Sequence, residues 1–340
     1  MTIHEDAHAV LLPAFDTLIL SDATRRFLDR GGVSILLGES RAEYVARRMS
    51  SARRASESAE AFRRISDEAR ARSGVLLTAV DQEPVGICRL EGLVPSFPTA
   101  KSLCDISTEN MRAISQQVAV AARSMGVNVF LAPIADALDG TNSWLEGRTF
   151  SADPIEIARV ISAYVDGVQQ GGVAATLKHF PGFRSITGDP ATDASAISQT
   201  SLSALEAGLE PFRAAIAAGV EMVMVGPAPV VALDPARAAL RSPIVVKKLT
   251  EELGFSGVVM ADDLDGQATL RGDSVEQTAI DALKAGCDFL LLADIGDQLN
   301  RVAQAIVQAT DTGLISRNTL EASAEKVRRL AERYSTGIVG

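Results

Sequence analysis

The chain has 340 residues, of which 47% are hydrophobic and 22% are charged, so it carries enough apolar material to fold around a core. Forty-three acidic residues against 33 basic ones give a formal net charge of -10, and only 4% of the residues are aromatic. This balance disfavours a protein that binds nucleic acid by tracking phosphates or stacking on bases. The length fits two domains of roughly 150 residues each or one α/β barrel.

Location and cofactor use are inferred from what the sequence lacks. The N-terminal stretch MTIHEDAHAVLLPAFDTLIL contains neither lysine nor arginine, which predicts no secretory signal, and no apolar run is long enough to predict a membrane span. Cys88, Cys104 and Cys287 show no CxxC spacing and are expected to be reduced thiols of a cytoplasmic protein. His4, His8 and His179 are the only histidines, so neither a metal nor another cofactor is predicted.

Eight short apolar runs alternate with longer stretches of helical periodicity along the chain. Continuous apolar runs without polar alternation are typical of parallel strands that are buried on both faces. Every gap between two runs is long enough for a crossover helix. The runs are AVLLPA (9–14), VSILL (33–37), VLLTAV (75–80), VNVFLA (127–132), VAATL (173–177), VEMVMV (220–225), GVVMA (257–261) and FLLLA (289–293).

The first helices in chain order have recognisable signals. Residues 50–72, rich in Arg, Ala, Ser and Glu, predict an exposed helix between the second and third strands. Asp153 and Pro154 predict the start of a helix before the fifth strand. The Asp153 side chain can cap the first turn, and the fixed backbone angle of Pro154 suits the first helical position. Gly171 and Gly172 predict the end of that helix.

The remaining helices complete an alternating order. Residues 202–216 carry large apolar side chains at spacings of three and four, which predicts one helix before the sixth strand. Asp273 and Glu276 predict an acidic cap for the next helix, and residues 321–334 predict a polar helix outside the strands. Eight strand–helix units favour a single-domain (β/α)8 TIM-type barrel over residues 1–340, with a doubly wound sheet as the structural alternative.

Polar side chains follow several of the predicted strands. In a barrel, the carboxyl ends of the strands form one mouth where chemistry collects. Carboxylates accept hydrogen bonds from sugar hydroxyls, and one carboxylate can act as a nucleophile on a sugar carbon. The set slightly favours a small carbohydrate substrate over other barrel chemistries. Its members are Asp81, Asp136, Lys178, His179, Gly226, Asp262, Asp263 and Asp294.

Four stretches carry a family resemblance in the same order and spacing. KHFPGFRSITGDP (178–190) resembles the KHFPGHG…DSH signature of glycoside hydrolase family 3, and specifically its single-domain β-N-acetylglucosaminidases. VDQEPVGICRL (80–90), GRTFSADP (147–154) and ELGFSGVVMADDL (252–264) resemble that family's VDQEGGRVQRL, ERSFGSDP and ELGFDGVVFSDDL. The similarity extends over residues 31–294, and four ordered motifs make it specific.

The resemblance implies a retaining hydrolase of carbohydrate metabolism, of β-N-acetylhexosaminidase type, that forms a covalent glycosyl-enzyme intermediate. It implies that Asp262 is the nucleophile and that Asp263 supports it. By the same resemblance, Lys178 and His179 match positions that bind sugar hydroxyls. Asp81 and Arg148 match further positions of this kind. The strand-end position of Asp262 agrees independently with its implied role.

The chain departs from the family in the loop that carries the family's general acid/base, a histidine in the DSH triplet. Without a gap, that triplet aligns with Asp189, Pro190 and Ala191, and with a short insertion it aligns with residues 193–195. Either way the aspartate is kept and the histidine is absent, so Asp189 or Asp193 is a candidate acid/base if the loop folds inward and burial raises the pKa of its carboxyl group. The other departures are Phe183 for the histidine of PGHG, Pro229 for that of PAHV, and Pro84 with Val85 for the paired glycines of DQEGG.

Two alternatives to the hydrolase are open at this point. A catalytically diverged sugar-binding barrel would explain the loss of the loop histidine. A Schiff-base aldolase could use Lys178 at the end of the fifth strand, since a desolvated lysine supports that chemistry.

Overall fold

A computed structural model describes residues 1–293 and 298–335 and contains a closed barrel of eight parallel strands. Leu11 and Leu12 of the first strand pair with Leu290 and Leu291 of the last, which closes the ring. This closure confirms the predicted (β/α)8 barrel and excludes an open doubly wound sheet. The strands are β1 (Leu11–Phe15), β2 (Ser34–Leu37), β3 (Leu77–Val80), β4 (Val129–Phe130), β5 (Ala174–Phe180), β6 (Met222–Val225), β7 (Val258–Ala261) and β8 (Phe289–Leu292).

Each of the eight predicted apolar runs overlaps one of these strands. Most strand side chains are buried on both faces, because the barrel interior is filled on one side and the helices cover the other. β5 is longer than its apolar run and continues to Phe180, so the predicted site residues Lys178 and His179 belong to the strand itself. The described strands and helices form this one barrel, while its extent as a domain over residues 1–340 stays a prediction.

The helices surround the barrel and connect its strands. No helix within residues 1–293 and 298–335 combines the length and apolarity needed to cross a membrane. The helices are α1 (Ile3–Ala9), α2 (Asp22–Asp29), α3 (Arg41–Ala46), α4 (Ser51–Ser56), α5 (Ala59–Ser73), α6 (Ala100–Cys104), α7 (Thr108–Ser124), α8 (Pro154–Gln170), α9 (Leu202–Ala207), α10 (Glu210–Ala217), α11 (Pro243–Lys247), α12 (Gln267–Leu270), α13 (Val275–Ala285), α14 (Gln298–Asp311) and α15 (Arg317–Ser335), with a 3-10 turn at Ala239–Arg241 and a π-helical turn at Lys248–Glu252.

Two helices that the sequence predicts as continuous are each split in two. Between α4 and α5 the backbone of Glu57 is extended, and the Ser58 hydroxyl caps α5 by accepting a backbone N–H. Between α9 and α10, Pro211 occupies the first turn of α10, where a residue without an N–H is tolerated but cannot continue a preceding helix. The single helices predicted over 50–72 and 202–216 are therefore wrong in their continuity.

The predicted start of α8 is confirmed, whereas the predicted cap of α13 differs by one residue. Asp153 caps α8 through the N–H of Ile155, and the prediction for this start is confirmed. α13 is capped by Ser274 rather than by Asp273, because the Ser274 hydroxyl is the group that accepts an N–H of the first turn. α15 lies outside the strands and packs against α1, where the buried Asp6 forms ion pairs with Arg317 and Arg328 of α15.

Candidate active site

The predicted site residues at the carboxyl ends of the strands meet around one cavity. Asp81 directly follows β3, Lys178 and His179 lie near the end of β5, and Asp262 directly follows β7. Arg148 reaches the same place from the loop between β4 and α8. The cavity encloses about 60 Å³ and is also lined by Tyr44, Leu131, Trp144, Pro190, Ala191, Met224, Pro227, Asp263, Gly266 and Leu291.

One wall of the cavity is a fully paired ionic cluster, which we call the paired cluster: Asp81, Glu83, Arg148 and Lys178. The Lys178 ammonium contacts Asp81 Oδ1 at 2.6 Å and Glu83 Oε1 at 2.9 Å. The Arg148 guanidinium donates to both oxygens of Glu83, at 2.6 and 3.2 Å, and to the Tyr44 hydroxyl at 2.9 Å. Each buried charge therefore has a partner of opposite sign, which is the condition for burying it.

The pairing determines the ionisation of this wall. Burial alone would raise the pKa of Glu83, but Arg148 and Lys178 outweigh it and lower the pKa to about 2. Burial alone would lower the pKa of Lys178, but Asp81 and Glu83 outweigh it and hold that pKa above its usual value. At neutral pH Glu83 is therefore ionised and Lys178 is protonated, and the Lys178 ammonium can donate hydrogen bonds to sugar hydroxyls in the cavity.

The turn after β3 brings Glu83 into this cluster. The Ile87 N–H donates to Glu83 Oε2 at 3.0 Å, which closes the turn on the carboxylate. Gly86 has a φ of 101°, and a Cβ added there would lie 2.5 Å from Glu83 Oε2 and 2.9 Å from Arg148 Cγ. Gly86 is therefore the residue at which this turn requires a glycine, for its left-handed backbone and for the close approach of the ion pair.

The opposite wall carries Asp262, whose carboxylate is only half satisfied. Its Oδ1 accepts the backbone N–H of Asp263 at 2.8 Å, whereas its buried Oδ2 has no hydrogen-bond partner within residues 1–293 and 298–335. Burial raises the pKa of Asp262, and His179 opposes that rise. Burial and the charge of Asp262 raise the pKa of Asp263 well above its usual value. Two adjacent carboxyls thus lie at the cavity without a cationic Lys or Arg within salt-bridge distance among the described residues.

His179 lies between these two walls and is held by Asp136. Asp136 Oδ2 accepts the backbone N–H of His179 at 3.0 Å and contacts its ring Nδ1 at 2.9 Å. Asp136 Oδ1 accepts the N–H of Phe183 at 2.6 Å. The other ring nitrogen of His179, Nε2, lies 4.0 Å from Asp262 Oδ2. The ring of Trp144 packs on the imidazole with a centroid distance of 4.4 Å, so the imidazole has one fixed orientation.

The loop between β5 and α9 closes one side of the cavity. Pro190 and Ala191 line the cavity, and the carbonyl of Pro190 accepts the N–H of Ala268 in α12 at 2.9 Å. Asp189 is absent from the cavity lining, and its Oδ2 pairs with Arg41 at 2.5 Å. The structure thus does not bring Asp189 together with the other predicted site residues.

The cavity continues into a wider groove of about 750 Å³ over the ends of β1, β2 and β8. The two share Tyr44, Asp81, Ala191 and Asp263 among their lining residues, and together they reach the volume typical of ligand sites. Glu39, which follows β2, lines the groove, and burial together with the Asp81 charge raises its pKa to about 8. The groove is acidic, because Asp16 and Asp265 line it as well.

The sequence model described as "Glycosyl hydrolase family 3 N terminal domain" matches residues 21–330 of this chain. The chain belongs to glycosyl hydrolase family 3. It is therefore an O-glycosyl hydrolase by family, which confirms the resemblance that the four motifs indicate.

Relatives within glycosyl hydrolase family 3 extend over most of the chain. A protein named Beta-hexosaminidase from Stenotrophomonas maltophilia is 34% identical over 258 residues, which cover 72% of this chain and 76% of that protein. A Beta-hexosaminidase from Idiomarina loihiensis is 32% identical over 263 residues, which cover 75% of this chain and 78% of that protein. The solved structure of a family 3 β-N-acetylglucosaminidase from a Paenibacillus species superposes with a TM-score of 0.88 at 25% identity, and the match covers 100% of this chain and 64% of that chain.

Two of the departures from the family 3 motifs, Phe183 and Pro229, lie in the structure around the loop, and Phe183 has a local packing reason. Phe183 is fully buried, packs edge-on against Trp144 with a centroid distance of 5.5 Å, and fits over Gly226, where an added Cβ would meet its ring at 2.2 Å. The Pro229 carbonyl accepts the N–H of Ser198 at 2.8 Å and so ties the end of the loop to the barrel. Both positions are therefore part of the packing around the loop.

The sequence analysis missed three residues that hold the site together, Glu83, Tyr44 and Trp144, and it named Asp136 only as a polar residue after a strand. Glu83 lies inside the VDQEPVGICRL motif, and Asp136 had been placed beyond the fourth strand without a role, so both carried a positional signal. Trp144 is the only tryptophan of the chain, and that rarity is the signal that could have singled it out. Asp294, predicted to follow the eighth strand, lies outside the described residues.

Proposed function

We propose that this family 3 chain is a retaining β-N-acetylhexosaminidase in which Asp262 forms the covalent glycosyl-enzyme intermediate. The observation that carries the proposal is the buried, unpartnered Asp262 Oδ2 at the cavity, opposite the paired cluster. A carboxylate oxygen that accepts no hydrogen bond from the described residues remains available to attack an anomeric carbon. The name Beta-hexosaminidase of the relatives supports an N-acetylhexosamine as the sugar.

The residues would act as follows. The Lys178 ammonium and the Asp81 carboxylate hold sugar hydroxyls, and the Trp144 ring provides an apolar surface for the sugar. Asp262 Oδ2 attacks the anomeric carbon while the bond to the leaving oxygen breaks and that oxygen takes a proton. Water then attacks the same carbon and gives up a proton, the bond to Oδ2 breaks, and the anomeric configuration is retained.

A second candidate, a sugar-binding protein without catalysis, is favoured by one observation. Ala191, which the ungapped alignment places at the position of the family's histidine, lines the cavity and offers no proton. General acid/base help contributes about 10² to 10⁴ in rate, so its complete loss would leave binding with slow turnover. The aldolase alternative is opposed by the paired cluster, since Asp81 and Glu83 keep Lys178 protonated and an ammonium cannot attack a carbonyl.

The deciding experiment uses an activated fluoro sugar of the N-acetylhexosamine series with fluoride as leaving group. Fluoride departs without protonation, and the ring fluorine slows hydrolysis of the intermediate, so the adduct accumulates. Peptide mass spectrometry is expected to find the sugar mass on Asp262, and Asp262→Asn is the control that removes it. Failure to label Asp262, together with calorimetry that shows N-acetylhexosamine binding without hydrolysis, would replace the enzyme with the binding protein.

A further inference from the structure

The groove beside the cavity is rich in carboxyl groups and poor in cations. Arg41 is the only lysine, arginine or histidine among its described lining residues, and the guanidinium is already paired with Asp189, which does not line the groove. The groove therefore offers an excess of carboxyl groups, which favours a ligand that carries positive charge. The acidic residues that line it are Asp16, Glu39, Asp81, Asp263 and Asp265.

Glu39 is a carboxyl group of this groove that lacks a partner. It lies two residues beyond the end of β2, and its buried Oε2 has no hydrogen-bond partner among the residues that the structure describes. The positive charges that act on it belong to Lys178 and Arg89, and both side chains form their ion pairs with other carboxylates. Because a buried polar group without a partner is unfavourable, this carboxyl group is suited to a partner that the ligand supplies.

The groove begins where the cavity of the proposed nucleophile ends. Asp262 lines the cavity and is absent from the lining of the groove, whereas Asp81 and Asp263 line both. In a retaining displacement the leaving group lies on the side of the anomeric carbon opposite the nucleophile. When the sugar is held beside Asp262, its aglycone, which is the group bonded to the anomeric carbon through the leaving oxygen, therefore extends toward the groove.

We propose that the groove binds the aglycone of the substrate and selects aglycones that carry an ammonium group, with Glu39 as the residue that contacts the ammonium. The inference rests on the proposed function, because it requires the sugar to be held at Asp262. The substrate class is then a β-N-acetylhexosaminide of an amine-bearing alcohol, such as a second amino sugar whose nitrogen is not acetylated.

Binding of an ammonium at Glu39 has a proton balance that can be measured. The pKa of Glu39 is raised to about 8, so its carboxyl group is mostly protonated at neutral pH. An adjacent ammonium favours the ionised form, so the carboxyl proton passes to the solvent when the ligand binds, and the carboxylate stays paired with the ammonium. The other charges that act on Glu39, those of Asp81, Glu83, Arg89 and Lys178, are present with and without the ligand.

The kinetic test uses aryl β-N-acetylglucosaminides that differ in the charge at the end of a short side chain. Phenyl glycosides with a meta or para aminoethyl group are compared with their hydroxyethyl and carboxyethyl counterparts, whose leaving phenols are of similar acidity. Wild type should prefer an aminoethyl substrate over its hydroxyethyl counterpart by about tenfold or more in kcat/KM, and the carboxyethyl substrates should be the poorest.

Glu39→Gln should bring the ratio of kcat/KM for the aminoethyl and hydroxyethyl substrates to within about threefold of unity, because the amide keeps the shape of the side chain and cannot become an anion. Glu60→Gln is the matched control, since it removes the same charge from an exposed pair on α5 that does not line the groove. It should keep the wild-type ratio. Circular dichroism and the thermal midpoint establish that each variant is folded.

Calorimetry with the corresponding thioglycosides, which bind without being cleaved, measures the proton. Titrations at pH about 7 in two buffers of different ionisation enthalpy should show release of most of one proton for each aminoethyl ligand that binds to wild type. The hydroxyethyl ligand should release none, and Glu39→Gln should abolish the release for the aminoethyl ligand.

Two results would overturn the inference. Equal kcat/KM for the aminoethyl and hydroxyethyl substrates of wild type, at both ring positions, would mean that the groove does not select charge. A preference that survives in Glu39→Gln would remove the role of Glu39, and its loss in Asp16→Asn would then place the contact at Asp16. The fluoro sugar keeps the two proposals apart: failure to label Asp262 defeats the proposed function, whereas the thioglycoside titrations test the groove without catalysis.

Discussion

The two walls of the barrel mouth shift the pKa values of their carboxyl groups in opposite directions. In the paired cluster, Glu83 lies between Arg148 and Lys178, and its pKa falls to about 2. Across the cavity, Asp262 and Asp263 are buried without such partners, and the pKa of each is raised. Burial raises the pKa at both walls, and only at Glu83 do adjacent cations, Arg148 and Lys178, outweigh it, while at Asp263 the neighbouring Asp262 charge adds to the rise.

This difference separates two tasks. In the paired cluster every charge has a partner of opposite sign, so its side chains are held in place and form a rigid surface for a polar ligand. A carboxylate that is buried without compensation is held in an unfavourable state that a bond to an electrophilic carbon relieves. The comparison predicts that substitution of Glu83, the member of the paired cluster that does not line the cavity, acts mainly on stability, and that substitutions at Asp262 act mainly on catalysis.

The largest effect is expected for Asp262→Asn. The amide cannot act as the nucleophile, so kcat should fall roughly 10⁴-fold or more. Stability should not fall, because the change removes a buried unpaired charge while keeping the shape of the side chain. Steady-state kinetics with a nitrophenyl N-acetylglucosaminide and a thermal unfolding scan measure the two quantities. Activity close to that of wild type would contradict the assignment of Asp262.

Glu83→Gln should act in the opposite way on stability. It leaves Arg148 and Lys178 buried without their shared carboxylate, and breaking a buried pair in this manner costs about 3 to 5 kcal/mol. The free energy of unfolding from urea titrations measures the loss. Glu60→Gln is the matched control, since the exposed pair of Glu60 with Arg63 contributes at most about 1 kcal/mol. Equal effects of both substitutions would show that the paired cluster carries no special stability.

The sequence predicts the barrel well because its evidence is local. Each strand is buried on both faces, so each appears as an uninterrupted apolar run that needs no knowledge of its neighbours. The helix break at Pro211 is missed because the apolar periodicity continues through it, and the break at Glu57 is missed because the composition of residues 50–72 favours a helix throughout. Periodicity reports which side chains are buried, and it does not report where a helix is interrupted.

The same distinction between local and long-range information applies to the site. Asp262 and Lys178 could be predicted because their positions at strand ends are readable from the chain. Which charged residues pair with each other could not be predicted. Arg41 and Asp189 are 148 residues apart in the chain and form an ion pair only once the barrel has closed. The assignment of Asp189 as a possible acid/base depended on its burial, which only the three-dimensional packing of the loop determines.

A smaller effect, visible in the pH dependence of stability, is expected for Glu39→Gln. The pKa of Glu39 is raised from 4.5 to about 8, so the folded protein keeps a proton that the unfolded chain loses between those two pH values. Stability must therefore decline as pH rises through that window, by the linkage between proton binding and folding. Glu39→Gln should remove this decline and make the protein more stable than wild type at pH about 8.5, by roughly 1 kcal/mol or more. Urea titrations across the window measure it, with Glu60→Gln expected to run parallel to wild type.

The smallest effect is expected for Arg41→Gln, which acts on the loop that closes the cavity. The side chain of Arg41 is 47% exposed, so its pair with Asp189 should contribute less than about 1 kcal/mol to stability. The loop is also held by the hydrogen bond from Ala268 of α12 to the Pro190 carbonyl, and its residues Pro190 and Ala191 line the cavity. Removing the Arg41–Asp189 ion pair should raise KM a few-fold with kcat nearly unchanged, because the paired cluster and Asp262 are left intact. Equal losses in kcat and in kcat/KM would instead mean that the Arg41–Asp189 pair supports the reacting groups themselves.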